Sequence, residues 1–377
     1  MKIGLITYHS AYNFGSVLQA YATQEAIKKI SGNCEIINYR TNEQKRVYAI
    51  FKLDFNHNFF KSIIKNVFAL SNLKSKIERK NKYEQIINEI FNLSVECKDV
   101  YEVNNIWNKY DVIVSGSDQI WNKHSNELEN VDWQYMYPYL LRGFKGKKVS
   151  YASSLTNMKD NEIKKILNDI KDFDNVSIRE KETTDNMKKK YNINAVNVLD
   201  PTFLLTRDEW IEKFKLNRNN CSDNYILYYA LGKRKYINEE IKKLKKYADM
   251  NNLKIKVIAP LSYIKKINGV EYLIDVDPKD FLKLINDSSY VITDSYHGTI
   301  LSINLQKNIY SLCKGNPSDF RKTDVLKKLG LDNRIISNID EFEIKSTSMI
   351  DYSTVNKKIE YYRKESLEYL KKSLEEK

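Results

Sequence analysis

The chain has 377 residues, 42% of them hydrophobic and 29% charged, with 11 Gly and 5 Pro, a balance that excludes disordered and collagen-like chains and suits about two folded domains. Its net charge of +13 favours anionic partners without choosing among small phosphates, acidic glycans, membrane lipids and nucleic acid.

Short apolar runs alternate with longer helical patterns almost from end to end, the mark of parallel sheets with crossover helices, so the expected class is α/β. In the first half the runs at 3–8, 35–39, 111–116, 148–154, 175–180 and 197–201 read as strands with polar ends. Those ends matter because open α/β sheets bind ligands beyond the carboxyl ends of their strands. A first domain over 1–205 and a linker over 206–224 follow. A second domain over 225–350 carries strands at 225–231, 254–260, 272–276, 290–294 and 308–312. Residues 351–377 place Ile359, Tyr362, Leu367, Tyr369, Leu370 and Leu374 at helical spacing, which predicts a helix able to pack back on the first domain.

Residues 41–100 interrupt the alternation. Within 41–80, nine Lys or Arg face three acids, with Tyr48, Phe51, Phe55, Phe59, Phe60 and Phe68 interleaved. The spacing predicts amphipathic helices inserted into the first domain, either a lid on its own sheet or a face for a membrane surface or anionic acceptor.

Four strand-end stretches carry candidate chemistry. In "HSAYNFGSVLQ" (9–19), Ser16 and Gln19 match a capping box. The helix start they predict would aim free N–H groups at a ligand, with Gly15 allowing close approach and His9 and Asn13 adding hydrogen bonds. In "SGSDQIWN" (115–122), Asp118, Gln119 and Trp121 present a carboxylate, an amide and a flat apolar face suited to a sugar ring, or else an Asx turn over a core tryptophan. In "SIRE" (177–180), Arg179 offers a planar fork for carboxylate or phosphate, unless Glu180 and Glu182 pair with it. In "DSYHGT" (294–299), a cap at Asp294 or Ser295 puts His297 in the first helical turn, where the positive helix end favours a neutral imidazole, and Gly298 clears its approach. Thr299 completes the motif, and Arg321 and Arg334 flank a later short helix.

The chain has no G-x-x-x-x-G-K-[ST], G-x-G-x-x-G or H-E-x-x-H motif, so nucleotide hydrolysis, dinucleotide redox chemistry and zinc proteolysis lack support. Cys34, Cys97, Cys221 and Cys313 form no C-x-x-C pair, and the four histidines lie far apart, so no metal site is expected. No run approaches the roughly 20 apolar residues of a spanning helix, and the opening residues lack a cleavage site, so the expected location is the cytoplasm.

Taken in order, "NFGSVLQAYA", "SGSDQIWN", "YASS", "SIREKE", "VLDPTFLL" and "ITDSYHGTILSI" resemble the polysaccharide pyruvyl transferase family over most of the chain. The resemblance implies two Rossmann-like domains of the GT-B kind, with the active site in the cleft between them. It implies transfer of the carboxyvinyl group of phosphoenolpyruvate to two hydroxyls of one sugar in a surface polysaccharide or cell-wall glycan precursor, forming a pyruvate ketal and releasing phosphate. No cofactor beyond this co-substrate is implied. His297 and Asp118 would move protons. Arg179, Ser295, Gly298, Thr299 and Arg321 would hold the donor, and Asn13, Gly15, Ser16, Gln19, Gln119 and Trp121 the acceptor. The acceptor would be lipid-linked and reached by peripheral contact with the inner face of the membrane. Members often carry a basic residue just before the H-G pair; here it is Tyr296, which shifts phosphate binding to Arg179, Arg321 or lysines.

Two alternatives are a GT-B glycosyltransferase using a nucleotide sugar and a non-catalytic binder of an anionic glycan or other polyanion. Nucleic acid is not expected as a partner, because the basic residues are scattered rather than gathered into a reading motif.

Overall fold

The computed structural model describes residues 1–51, 70, 72–216, 224–232, 234–259, 266–345 and 348–375. It divides into two units. Unit 1 comprises Met1–Tyr48, Glu84–Leu205 and Lys358–Lys377, and unit 2 comprises Ala49–Tyr83 and Thr206–Lys357.

Unit 1 is built on β1 (Ile3–Ile6), β2 (Glu35–Ile36), β3 (Val112–Ser115) and β4 (Lys147–Ser150), all parallel in the order β2-β1-β3-β4. β1 and β3 are buried at every position, so their sequences run as unbroken apolar stretches instead of alternating. A second parallel pair, β5 (Val176–Ile178) and β6 (Ala195–Asn197), adjoins β4 through single bridges at Val149–Asn175 and Ser153–Ile178. The amphipathic helix Asp160–Lys171 shows how these elements close: Ile163, Ile166 and Ile170 share its buried stripe.

Unit 2 holds β7 (Tyr225–Tyr229), β8 (Lys254–Ile258), β9 (Val270–Tyr272), β10 (Tyr290–Thr293), β11 (Asn308–Leu312) and β12 (Ile335–Ile336) in one parallel sheet of order β12-β11-β10-β7-β8-β9. The chain builds outward from β7 to β9, returns to pair β10 with the other edge of β7, then builds outward again. The reversal therefore falls between β7 and β10. In unit 1 it falls between β1 and β3. Such reversal points leave a crevice at the carboxyl ends of the two central strands, because their crossover helices depart to opposite faces.

Several expected boundaries change. Residues 206–216 are a packed element of unit 2. Thr206 and Glu209 form a capping box for the helix Arg207–Phe214, Trp210 is fully buried, and the Leu216 carbonyl accepts a hydrogen bond from Asn286 at 2.7 Å. The rest of the expected linker, 217–223, lies outside the described residues. The expected insertion is shared between the units, because its helix Leu73–Ile90 has partners in each. Lys82 pairs with Asp280 at 3.2 Å in unit 2, while Glu84 pairs with Arg40 in unit 1. The aromatic-rich stretch 52–69 lies outside the described residues. The helix Tyr352–Glu375 reaches unit 1 through Ser366, whose Oγ accepts from the Leu199 amide at 2.9 Å, and Tyr369, which donates to the Ser150 carbonyl at 3.0 Å.

No helix among the described residues is long and apolar enough to cross a membrane.

Candidate functional site

Each unit gathers its polar groups at its own reversal point. In unit 1 the loop after β1 leads into the helix Phe14–Ser31. Asn13 is its N-cap, with Oδ1 accepting from the Gly15 amide at 2.9 Å and the Ser16 amide at 3.3 Å. The helix thus begins two residues before the Ser16–Gln19 box read from sequence. Those side chains are used elsewhere. Ser16 Oγ donates to Asp118 Oδ2 at 2.8 Å, and Gln19 Nε2 donates to Thr7 Oγ1 at 2.9 Å while its Oε1 accepts from the Ser117 amide at 3.2 Å. Thr7 Oγ1 in turn donates to the Ser117 carbonyl at 3.0 Å. The two loops that meet at the reversal point are therefore joined by side-chain hydrogen bonds.

Asp118 stands at the centre of this network. Its φ of 74° is in the left-handed region that aspartate tolerates when its side chain bonds locally, and here Oδ1 accepts from the Gln119 amide at 2.9 Å. Gly116 before it has φ 132°, and a Cβ there would lie 2.1 Å from the Tyr151 carbonyl oxygen, so only glycine fits.

The expected acceptor set separates on burial. Trp121 is wholly buried, donates Nε1–H to the Tyr139 carbonyl at 3.0 Å and packs edge-on to Phe173; it is a core residue and offers no face to a sugar. Gln19 is likewise sealed. Gly15, Ser16 and His9 are buried, while Asn13 and Gln119 keep partial exposure, Gln119 accepting from Asn122 at 2.7 Å.

Arg179, expected to hold the donor, is paired with two acids. It is buried at the end of β5, with Nη1 on Asp200 Oδ2 at 2.9 Å and Nε on Glu180 Oε1 at 3.2 Å. Two carboxylates already match its charge, and Glu180 Oε1 also accepts from Ser154 at 2.8 Å. Removing either partner of so buried a pair would leave a charge uncompensated.

One group at this end of unit 1 carries no signal in the sequence. Glu127 lies on the irregular segment after β3, and Tyr48 donates its hydroxyl to Glu127 Oε1. Burial pushes its carboxyl up to about 7; the Tyr48 hydrogen bond opposes the shift and the Asp118 charge adds to it.

In unit 2 the reversal point is "DSYHGT". Asp294 Oδ1 accepts from the Leu231 amide at 2.7 Å, tying the ends of β10 and β7 together. Burial raises its carboxyl above the usual range, opposed by that amide and by Lys322 and Lys314. Ser295 is the N-cap of the helix Tyr296–Asn304, accepting from the Gly298 amide at 3.2 Å. His297 therefore sits in the first turn as expected from a cap at Ser295. It is partly exposed and packs edge-on to Tyr296, with ring centroids 5.2 Å apart. The Arg321 guanidinium lies 5.4 Å from the Tyr296 ring, so arginine, tyrosine and histidine gather at one helix start.

Gly298 and Thr299 serve packing instead of ligand approach. A Cβ on Gly298 would lie 2.8 Å from Thr293 Oγ1 and 2.9 Å from Tyr229, and Thr299 is wholly buried between the Ser295 carbonyl (2.9 Å) and Ser311 Oγ (3.0 Å). Small residues here let the helix sit close on its sheet. Beside Asp294 a cavity of about 710 Å³ opens, lined by Gly232, Tyr236, Glu240, Lys314 and Asn338 among others. Lys314 pairs with Glu240 at 2.6 Å within it. Among the described residues no group of three or more His, Cys, Asp or Glu is placed to hold a metal ion.

Structural comparison defines the class. The chain is similar to UDP-GlcNAc 2-epimerase from Methanocaldococcus jannaschii, at 12% identity over 93% of each chain with a TM-score of 0.52. It is also similar to UGT89C1 from Arabidopsis thaliana complexed with UDP, at 11% identity over 98% of each chain and a TM-score of 0.52. Staphylococcus aureus MnaA, solved with UDP, matches at 11% identity over 99% of this chain and 97% of that one, with a TM-score of 0.51. The protein has the GT-B-like α/β fold of these epimerases and glycosyltransferases. Within that class its sequence is specific: the family model for polysaccharide pyruvyl transferase matches residues 13–312. The chain belongs to the polysaccharide pyruvyl transferase family, a family of transferases whose acceptor is a saccharide. No curated protein matches it.

Proposed function

We propose that the protein transfers the carboxyvinyl group of phosphoenolpyruvate to two hydroxyls of one sugar in a surface polysaccharide or cell-wall glycan precursor, closing a pyruvate ketal and releasing phosphate. The observation that carries this reading is that the family match, residues 13–312, takes in Asn13, Ser16, Gln19 and Asp118 at one reversal point and Ser295 and His297 at the other.

In unit 2 the donor phosphate is assigned to the start of the helix Tyr296–Asn304, where backbone N–H groups, the His297 imidazole and Arg321 supply donors and positive potential. His297 serves the proton that leaves with phosphate. In unit 1 Asp118 takes the proton of the attacking hydroxyl, and Asn13 and Gln119 are the partly exposed polar groups left to orient a sugar. Arg179, held by two acids, supports that end of the sheet instead of binding the donor. The reaction needs no cofactor besides its co-substrate. A lipid-linked acceptor at the inner face of the membrane, met by the basic segment 41–80, fits the local charge of that segment.

A second reading is a nucleotide-sugar transferase. The cavity beside Asp294, about 710 Å³, is far larger than a ten-heavy-atom donor requires and supports it.

Calorimetric titration of phosphoenolpyruvate, with nucleotide sugars in parallel, separates the two. Phosphoenolpyruvate should bind the wild type and lose at least tenfold in affinity in Arg321→Ala and His297→Ala. Binding of a nucleotide sugar alone would replace the first reading with the second. If neither binds, while a polyanion binds in a salt-sensitive way that His297→Ala leaves unchanged, a non-catalytic binder is indicated. Phosphate release from phosphoenolpyruvate over a panel of saccharides then identifies the acceptor.

A further inference from the structure

The cavity beside Asp294 is left unused by phosphoenolpyruvate chemistry. Its volume of about 710 Å³ falls within the roughly 300–1,000 Å³ typical of small-molecule sites. Its whole lining belongs to unit 2. The walls come from the carboxyl ends of four neighbouring strands. Asp294 follows β10, Lys314 follows β11 and Ser337 follows β12, while Tyr236 and Glu240 lie on the helix Arg234–Met250 that follows β7. Open parallel sheets take their ligands at that end.

These walls are held in place. Lys322 is 2% exposed and donates Nζ to the Asp294 carbonyl at 2.9 Å and the Leu312 carbonyl at 2.7 Å, locking the ends of β10 and β11 to each other. Glu240 accepts from the buried Tyr228 hydroxyl and pairs with Lys314, whose Nζ stands 5.4 Å from the centre of the Tyr236 ring. Tyr236 itself is 52% exposed, so a flat apolar surface is fixed at the wall without being sealed. On the remaining side Asn338 Nδ2 donates to Ser337 Oγ at 3.0 Å. Lys243 pairs with Asp340 at 2.5 Å, joining the helix Arg234–Met250 to the helix Ile339–Lys345.

The charges on the lining select a class of ligand. Glu239, Glu240 and Asp294 outnumber Lys243 and Lys314, and each lysine is already matched by an acid. An entering anion would therefore meet surplus negative charge. A bare cation would find no use for the ammonium and amide donors beside the carboxylates, and among the described residues no group is placed to hold a metal ion. A hydroxyl both donates and accepts, so mixed walls of this kind suit a polyol. The Tyr236 ring suits the apolar face of a pyranose.

We propose that this cavity is a binding site for a neutral saccharide unit, with Tyr236 against the sugar ring and Glu239 and Asp294 accepting from its hydroxyls. The site is distinct from the helix start at Tyr296, which is assigned to the donor phosphate. It goes beyond the reading above and holds whichever donor the enzyme uses. The hydroxyl pattern of the sugar, not its charge, sets what the site retains.

Saturation-transfer NMR on the whole protein tests this with D-glucose, D-galactose, D-mannose, N-acetyl-D-glucosamine and lactose, and with D-glucuronate as the anionic control. At least one neutral sugar should receive transfer from the wild type. Tyr236→Ala should weaken its binding at least tenfold and Glu239→Gln at least threefold, whereas Tyr236→Trp, which keeps a flat ring, should stay within threefold of wild type. Both side chains are exposed, so these variants should fold. Calorimetry with phosphoenolpyruvate should give an affinity for Tyr236→Ala within threefold of wild type. Transfer to no neutral sugar, tighter binding of glucuronate than of glucose, or sugar binding within threefold of wild type in Tyr236→Ala overturns the proposal. A tenfold loss of UDP-glucose or phosphoenolpyruvate affinity in Tyr236→Ala overturns it too, because the cavity would then hold the donor. A protein that meets the sugar expectations but does not bind phosphoenolpyruvate keeps the saccharide site and overturns the donor reading alone.

Discussion

The two reversal-point loops start from the same plan and end in different states. Each runs from a buried strand through a capping residue into a helix, Asn13 in unit 1 and Ser295 in unit 2. In unit 1 the helix start is stitched by Ser16 and Gln19 to the loop after β3, and most of its polar atoms are spent on that stitching. In unit 2 the cap closes locally, and the first turn keeps a partly exposed histidine with Arg321 and Tyr296 around it. The same topology therefore yields a rigid, carboxyl-bearing site in one unit and a cationic helix start in the other, according to where the polar side chains find partners.

The stitched loop should be the more fragile. Gly116→Ala places a Cβ against the Tyr151 carbonyl at an unfavourable φ, so thermal melts should show a loss exceeding about 4 kcal/mol, or no folded protein. Glu127 should dominate the pH dependence of unit 1. Its folded-state carboxyl, at about 7 against an ordinary 4.5, keeps a proton that the unfolded chain has lost between those values. The stability it contributes is full below pH 4.5 and falls by about 3 kcal/mol as pH rises through 7, and Glu127→Gln should flatten that slope in denaturant titrations. Gly298→Ala in unit 2 should cost about 1–3 kcal/mol by overpacking against Thr293 and Tyr229, measured by melting temperature.

The closest test of the contrast is a matched pair of serine substitutions. Ser16→Ala removes the hydroxyl donor of a buried carboxylate and should cost about 1–3 kcal/mol, more than the cap lost in Ser295→Ala, at about 1 kcal/mol. Equal losses in chemical denaturation would remove the distinction between the loops.

Much of this architecture is legible in the sequence, because buried parallel strands announce themselves as short apolar runs and their polar ends mark the crevices. Most strands run shorter than their apolar stretches, β6 and β9 fall at Ala195–Asn197 and Val270–Tyr272 where 197–201 and 272–276 were expected, and β12, with two residues, leaves no periodic signal at all. What the sequence hides is solvation. Trp121, Gln19, Thr299 and Arg179 have the right chemistry at the right ends of strands, yet side chains from distant segments enclose them, and residue type alone does not report that enclosure. Glu127 is the converse case. Its raised carboxyl is made first by burial, with the Asp118 charge adding to the shift and the Tyr48 hydrogen bond opposing it, and folding alone brings these together, so nothing in its local sequence marks it. The helix start at Asn13 was obscured because a Ser and a Gln at capping-box spacing were needed for another purpose.

The hydrogen bond from the Leu199 amide to Ser366 spans 167 residues, and that from Tyr369 to Ser150 spans 219. During synthesis, at about 5–20 residues per second, the sheet of unit 1 emerges long before these partners, with the main body of unit 2 made in the interval. A ribosome stalled before Ser366 would thus hold a first unit whose β4 and β6 ends still lack these hydrogen bonds, so completion of that unit waits for the helix Tyr352–Glu375.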